Sequence, residues 1–259
     1  MRKIFYIFLF LLSIQFTVFA AKPFRFALLT DLHISVSKPQ NTEDLQQVIT
    51  DVNADNRIEF VLISGDISDL ADSASLKMSK KILSGLRMPY YITTGNHDVN
   101  ESQNGSSNFL QVFQKNTFSF DYSGFHFIGF PTVPVTKGGV GHISDVDFRF
   151  VKTELEKSGK SQPMFVITHY PLLKGDVDNQ KEMTELLGNY NVKAVLNGHY
   201  HRNVLLNYDG IPGIVNRSVL RANQRAAGYS IYSVSNSLKV SEKMIGQPEK
   251  NWLTLPLQN

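Results

Sequence analysis

Residues 90–98 read Tyr90-Tyr91-Ile92-Thr93-Thr94-Gly95-Asn96-His97-Asp98. A short apolar, β-prone run breaks at a glycine into side chains that handle protons and metals. Such a run, bounded by turn residues, predicts a buried strand. Four more apolar runs end in side chains of the same kind, two of them at a glycine. Phe24 to Leu29 leads to Asp31 and His33, and Phe60 to Ile63 leads to Gly65-Asp66. Met164 to Ile167 leads to His169, and Ala194 to Leu196 leads to Gly198-His199-Tyr200-His201. Segments with helical periodicity lie between several of these runs: Thr42 to Ala54, Ser73 to Leu86, Asp145 to Lys157 and Asn179 to Tyr190. Strand alternating with helix predicts a layered α/β domain. In open α/β sheets ligands bind beyond the carboxyl ends of the strands, so the five loops are expected to converge.

Taken singly, each loop is ordinary, since Gly-Asp is a common turn and a lone histidine is usually structural. Five strand ends that all carry ligand-type residues, with glycines where the chain must turn tightly, form a pattern that chance explains poorly. Asp31 and His33 stand two apart, so an extended loop would point both the same way. Elsewhere, Phe118 to Phe130 predicts a strand pair about Ser123-Gly124. A further strand group is expected from Asn203 to about Val240, with turns at Asp209-Gly210 and Ser235-Asn236. No repeat or linker divides residues 21–259, which are expected to form one domain.

The ordered set resembles the calcineurin-like metallophosphoesterase superfamily, with Asp-x-His, Gly-Asp, Gly-Asn-His-Asp, a lone His and Gly-His-x-His in turn. The resemblance covers Asp31 to His201. It implies a four-layer αββα sandwich of two mixed sheets flanked by helices, with a metal site at the strand C-terminal ends. It implies that Asp31, His33 and His201 bind one divalent ion, that Asn96, His169 and His199 bind a second, and that Asp66 bridges them. Phosphate-ester hydrolysis by a metal-bridging hydroxide follows from that implied site. His97 would be the general acid for the leaving group, with Asp69 at the family position that orients it. An all-nitrogen and oxygen donor set suits Mn, Fe or Zn. Purple acid phosphatases differ from this chain: they replace the first-motif histidine and place a metal-binding tyrosine where Asp69 stands.

Composition narrows the partners. The 259 residues carry 26 basic and 23 acidic side chains, a formal +3, with no run of like charge. That balance argues against a nucleic-acid partner and for a small-molecule phosphate ester, either monoester or diester. The rival readings are a nuclease and a non-catalytic scaffold on the same fold. The absence of cysteine excludes disulfides, thiolate ligands and a cysteine nucleophile. Arg2 and Lys3 precede an apolar run from Ile4 to Phe19 that ends at Ala20-Ala21, with Val18 and Ala20 at the small-residue positions of a signal-peptidase site. Residues 1–20 are therefore expected to be a cleaved signal peptide that exports the protein. An uncleaved anchor is the alternative, disfavoured because Ser13, Gln15 and Thr17 interrupt the run. Oligomeric state is not legible in the sequence.

Four further features draw attention. Arg217, Arg221 and Arg225 recur every four residues, which on a helix would form one positive stripe, so Arg217 and Arg221 are candidate substrate-binding residues. His142 follows the glycine-rich Gly138-Gly139-Val140-Gly141 and could approach a substrate. His126 alternates with phenylalanines and is expected to be structural. Trp252, with Leu253 and Leu255, is expected to dock the C-terminal tail onto the core.

Overall fold

A computed structural model describes residues 22–99, 106–133 and 139–257. The expected signal peptide and Gly138 lie outside the described residues. Strand β1 (Phe24–Leu29) shows how the layers arise. Phe24, Phe26 and Leu28 face one way, and Ala27 and Leu29 the other; both faces are buried. Strand β2 (Ile58–Ser64) repeats this, with Phe60 and Leu62 on the first face and Val61 and Ile63 on the second. The second face packs under α1 (Pro39–Ala54), α2 (Ser73–Leu83) and α3 (Ser107–Phe113), through Leu45, Val48, Leu76 and Phe109 among others.

The first face meets another sheet. Its inward residues come from β5 (Phe125–Gly129), β6 (Met164–Ile167), β7 (Val192–Asn197) and β9 (Ile211–Val215). The opposite face of that sheet packs under α4 (Asp145–Ser158) and α5 (Gln180–Leu187). The result is the expected four-layer α/β sandwich. Strands β3 (Tyr90–Thr93), β4 (Phe118–Tyr122), β8 (Val204–Tyr208), β10 (Gly228–Val234), β11 (Ser237–Met244) and β12 (Lys250–Pro256) complete two six-stranded mixed sheets. Their orders are β12-β11-β10-β1-β2-β3 and β4-β5-β6-β7-β9-β8. Strands β1, β2 and β3 run parallel, as do β5, β6, β7 and β9, so their C-terminal ends point the same way within each sheet.

Several expectations are refined. The strand group from Asn203 to Val240 divides between sheets: the β8-β9 hairpin belongs to one, and β10-β11 to the other. The chain crosses between them through residues 216–227, which are irregular rather than helical, so the arginine stripe does not form. Helix α3 and strand β12 carried no sequence expectation. β12 is an edge strand paired to β11, and Trp252, Leu253 and Leu255 pack from it onto the inter-sheet core. The tail does dock, as a strand.

Phe26 sits at the centre of the inter-sheet layer, stacked between Phe60 at 5.1 Å and Tyr232 at 4.8 Å and fully buried. Phe26→Ala is expected to destabilise by about 3–5 kcal/mol through lost transfer energy and an unfilled cavity. Leu205→Ala, at a residue 47% exposed, is expected to change stability by less than about 0.5 kcal/mol. Urea unfolding of both variants measures the contrast.

Candidate metal centre

Five loops meet at the C-terminal ends of β1, β2, β3, β6 and β7, and hydrogen bonds join them edge to edge. Asp31 N donates to Gly65 O (3.1 Å), while Leu32 N and His33 N both donate to Asp66 O (2.8 and 2.9 Å). The buried Asp98 carboxylate accepts from Gly95 N, Ile67 N, Ser68 N and Ser68 Oγ at 2.9–3.2 Å, fastening the β2 loop to the β3 loop. Gly198 N donates to His169 O (3.0 Å), and His199 N reaches both Asp31 carboxylate oxygens (3.2 Å). Beneath lies a buried, fully paired amide network. Asn197 Nδ2 donates to Thr168 Oγ1 (2.6 Å) and Tyr170 O, and its Oδ1 accepts from Tyr208. Asn216 Nδ2 donates to Asn197 O, and its Oδ1 accepts from Tyr232.

Close packing explains the motif glycines. A Cβ on Gly95 would stand 2.1 Å from Asp66 Oδ1, and one on Gly198 would stand 1.9 Å from Thr30 Oγ1. Gly65 has φ +99°, and Asp66 follows it at φ 52°. Asp31, His33, His199 and His201 also have positive φ, from 43° to 70°. The extended Asp31-Leu32-His33 loop expected from spacing is therefore not what forms. The two side chains converge through left-handed backbone, a conformation that costs about 1–3 kcal/mol at a non-glycine residue.

The side chains gather about Asp66. Its Oδ2 lies 3.6 Å from His33 Nε2 and 3.2 Å from His169 Nε2. On the first side, His201 Nε2 stands 3.1 Å from Asp31 Oδ1 and 3.2 Å from His33 Nε2. On the other side, the His199 and His169 rings are 5.3 Å apart. His199 and His201, two apart in sequence, thus face different partners. Asp31, His33 and His201 offer donor atoms within 4.8 Å of one another, as do Asp31, Asp66 and His169, and His33, Asp66 and His97.

These residues fit metal ions by the chemistry of their donors. His169 Nδ1 is 2.8 Å from the Ser64 carbonyl, which can only accept, so Nδ1 carries the proton. Its Nε2 faces two carboxylates, so without a cation it holds a second proton, and in place of that proton its lone pair can take a metal ion. Asn96 Oδ1 is buried with no hydrogen-bond donor. Burial alone would drive the His169 imidazole down, but the Asp66 and Asp31 carboxylates carry it up to about 9. Burial, with the positive His169 nearby, holds His199 down to about 4, in the neutral form that ligates metal. Burial, then the Asp66 charge, pushes Asp98 up to about 6 against its hydrogen bonds.

The remaining predicted residues fall differently. His97 lies beside this cluster, its ring 4.6 Å from that of His33, and its Nδ1 bonds the main-chain oxygen of Asp69 at 2.8 Å rather than the carboxylate. Arg217 is a buried strut whose Nη2 donates to Ala226 O and Leu220 O, and Arg221 is held by Asp44. Both guanidiniums are committed within the crossover and to α1, which removes the basis for a substrate clamp. His142 is paired with Asp178 at 2.7 Å. His126 is buried and paired with Asp121 at 2.8 Å, a structural role. Sequence reasoning assigned no role to Asp98 or Arg202. Arg202 directly follows His201 and lies over the Tyr200 ring at 5.8 Å, while the Tyr200 hydroxyl is held by Asp176. Adjacency to the last motif was the available signal.

Comparisons with known proteins agree with this geometry. The family described as calcineurin-like phosphoesterase matches residues 24–203. A probable cyclic nucleotide phosphodiesterase of Coxiella burnetii is 24% identical over 233 residues, covering 85% of this chain and 89% of that protein. A probable glycerophosphodiester phosphodiesterase of Arcobacter nitrofigilis is 27% identical over 156 residues, covering 56% and 57% respectively. Among solved structures, the purple acid phosphatase of yellow lupin seeds aligns with a TM-score of 0.66 at 15% identity, over 92% of this chain and 54% of the lupin chain. GAP50, the anchor in the inner membrane complex of Plasmodium, aligns with a TM-score of 0.61 at 15% identity, over 92% and 90%. Those two likenesses show the fold alone. The family match, by contrast, takes in every one of the five converging loops, and the chain belongs to the calcineurin-like phosphoesterase family.

Proposed function

We propose that the protein hydrolyses small phosphodiesters using two divalent metal ions, of Mn, Fe or Zn. The observation that carries this reading is the position of Asp66, one oxygen of which faces His33 on one side and His169 on the other. Asp31, His33 and His201 would hold one ion, Asn96, His169 and His199 the other, with Asp66 shared. Such a pair supplies Lewis acidity and an activated water for in-line displacement at phosphorus. The protein's own residues do the rest. Asp66 Oδ1 accepts from His97 N at 3.0 Å, which fixes the His97 backbone beside the cluster. Nδ1–H donates to Asp69 O, so it is the imidazolium form of His97, with a second proton on Nε2, that would deliver a proton to the leaving oxygen. The names of the relatives, which carry cyclic nucleotides and glycerophosphodiesters, support a diester, and the near-even charge supports a small one.

Elemental analysis is expected to find about two metal ions per chain. Hydrolysis of bis-nitrophenyl phosphate should exceed that of the mono-ester, vanish with chelator and return with Mn, Fe or Zn. A metal-free, inactive protein under all these conditions would leave the scaffold reading standing. His97→Ala should lower turnover of alkyl esters about 10²–10⁴-fold and of nitrophenyl esters far less, with metal content intact. Equal losses on the two would remove the general-acid role.

Export belongs to the same proposal, supported by the charged, apolar and small-residue order of residues 1–20. Among the described residues no helix is long and apolar enough to cross a membrane. Protein recovered from outside the cytoplasm is expected to begin at Ala21, and N-terminal sequencing that returns Met1 would contradict cleavage.

A further inference from the structure

His33 is held at three points, two on its main chain and one on its ring. Its main-chain oxygen accepts from Asn41 Nδ2 at 2.6 Å, its main-chain nitrogen donates to Asp66 O at 2.9 Å, and its Nε2 faces Asp66 and His201. The ring's Nδ1 is buried and has no partner within hydrogen-bond distance. What it faces is the carboxylate of Asp69, whose Oδ1 lies 3.6 Å away. Lys38 Nζ holds the other carboxylate oxygen at 2.7 Å. Meanwhile His97 Nδ1 is satisfied by the main-chain oxygen of the same residue. Asp69 N donates to Ile34 O at 3.1 Å, which ties the residue to the loop that carries His33.

We propose that Asp69 is a positioning residue for metal binding by His33, acting through its carboxylate, whereas its hold on His97 runs only through the backbone. A carboxylate facing Nδ1 keeps the proton there and leaves the Nε2 lone pair for the ion, and it raises the basicity of that nitrogen. Lys38 restrains the carboxylate, so that only Oδ1 is free to turn toward His33. On closing from 3.6 Å to hydrogen-bond distance, the contact becomes a carboxylate, histidine and metal relay. The division of labour has a consequence. Replacing the side chain of Asp69 removes the partner of His33 but leaves the oxygen that orients His97 in place.

The inference rests on the metal reading, and the test separates the two. Asp69→Asn keeps shape and removes charge. Metal affinity, measured by competition against a chromogenic chelator, is expected to fall about 10–100-fold. At saturating metal, the dependence of turnover on leaving-group pKa should stay that of the wild type. Unchanged metal affinity overturns the inference, and so does a steepened leaving-group dependence like that of His97→Ala. If Asp69→Asn does not fold, zinc-loaded wild type decides by nitrogen-15 NMR of the imidazoles. A His33 Nδ1–H shifted downfield and slow to exchange is expected, and one that exchanges freely overturns the assignment. Wild type that takes up no metal removes both the inference and the reading beneath it.

Discussion

Two stacked sheets can bring strand ends to one edge, but they do not by themselves make the loops there into a single object. The buried carboxylate of Asp98 does much of that. It gathers the main-chain donors of Gly95, Ile67 and Ser68, so the turn that presents Asp66 and the turn that presents Asn96 and His97 share one anchor. A carboxylate that accepts several N–H groups in a dry site satisfies donors that no strand or helix can. Burial and the neighbouring Asp66 charge both work against ionising it, which is why its proton affinity is raised even with those bonds in place. The site is thus built on an acid held at some electrostatic disadvantage, next to another acid that must stay charged.

The same constraint accounts for the strained backbone. Asp31, His33, Asp66, His199 and His201 occupy the left-handed region, which side chains other than glycine rarely adopt. Strain of this kind persists where surroundings over-determine it. Here the determinants are visible: main-chain bonds from loop to loop, glycines with no room for a Cβ, and a paired amide network underneath. Side chains that can share a cation are therefore held together by the fold. Preorganisation of this sort lets an ion bind without first ordering five loops.

What the sequence disclosed follows from this division. Four of the five strand runs were legible because both faces of each are buried, which writes them as continuous apolar stretches, and the half-buried edge strand β3 was legible from its aromatic and β-branched residues. The ligand-type residues were legible because their chemistry is rare in combination. The geometry between them was not. Spacing of two suggested an extended Asp31-Leu32-His33, while Asp31 and His33 are left-handed, because conformation in that loop answers to hydrogen bonds it donates to the carbonyls of Gly65 and Asp66, 34 and 35 positions after Asp31. The arginine spacing suggested a helix, but residues 216–227 have to cross from one sheet to the other, and tertiary demand overrode the period. β12 went unread as a strand because its apolar residues, Trp252, Leu253 and Leu255, do not alternate strictly.

Fold likeness alone does not decide what such a protein does, since both a phosphatase and a membrane-complex anchor align with this chain. The donor set carries the functional argument, and so do the groups just outside it. Asp69 shows how much can turn on those. A residue placed in sequence as the partner of His97 offers that histidine a main-chain oxygen, which any residue would supply, and offers its carboxylate to His33. The chemistry that requires an aspartate at this position is therefore on the metal side of the site. A substitution judged by motif alone would be assigned to proton transfer. Judged by which oxygen faces which nitrogen, it belongs to metal binding, and the two differ in what they predict for every variant of that loop.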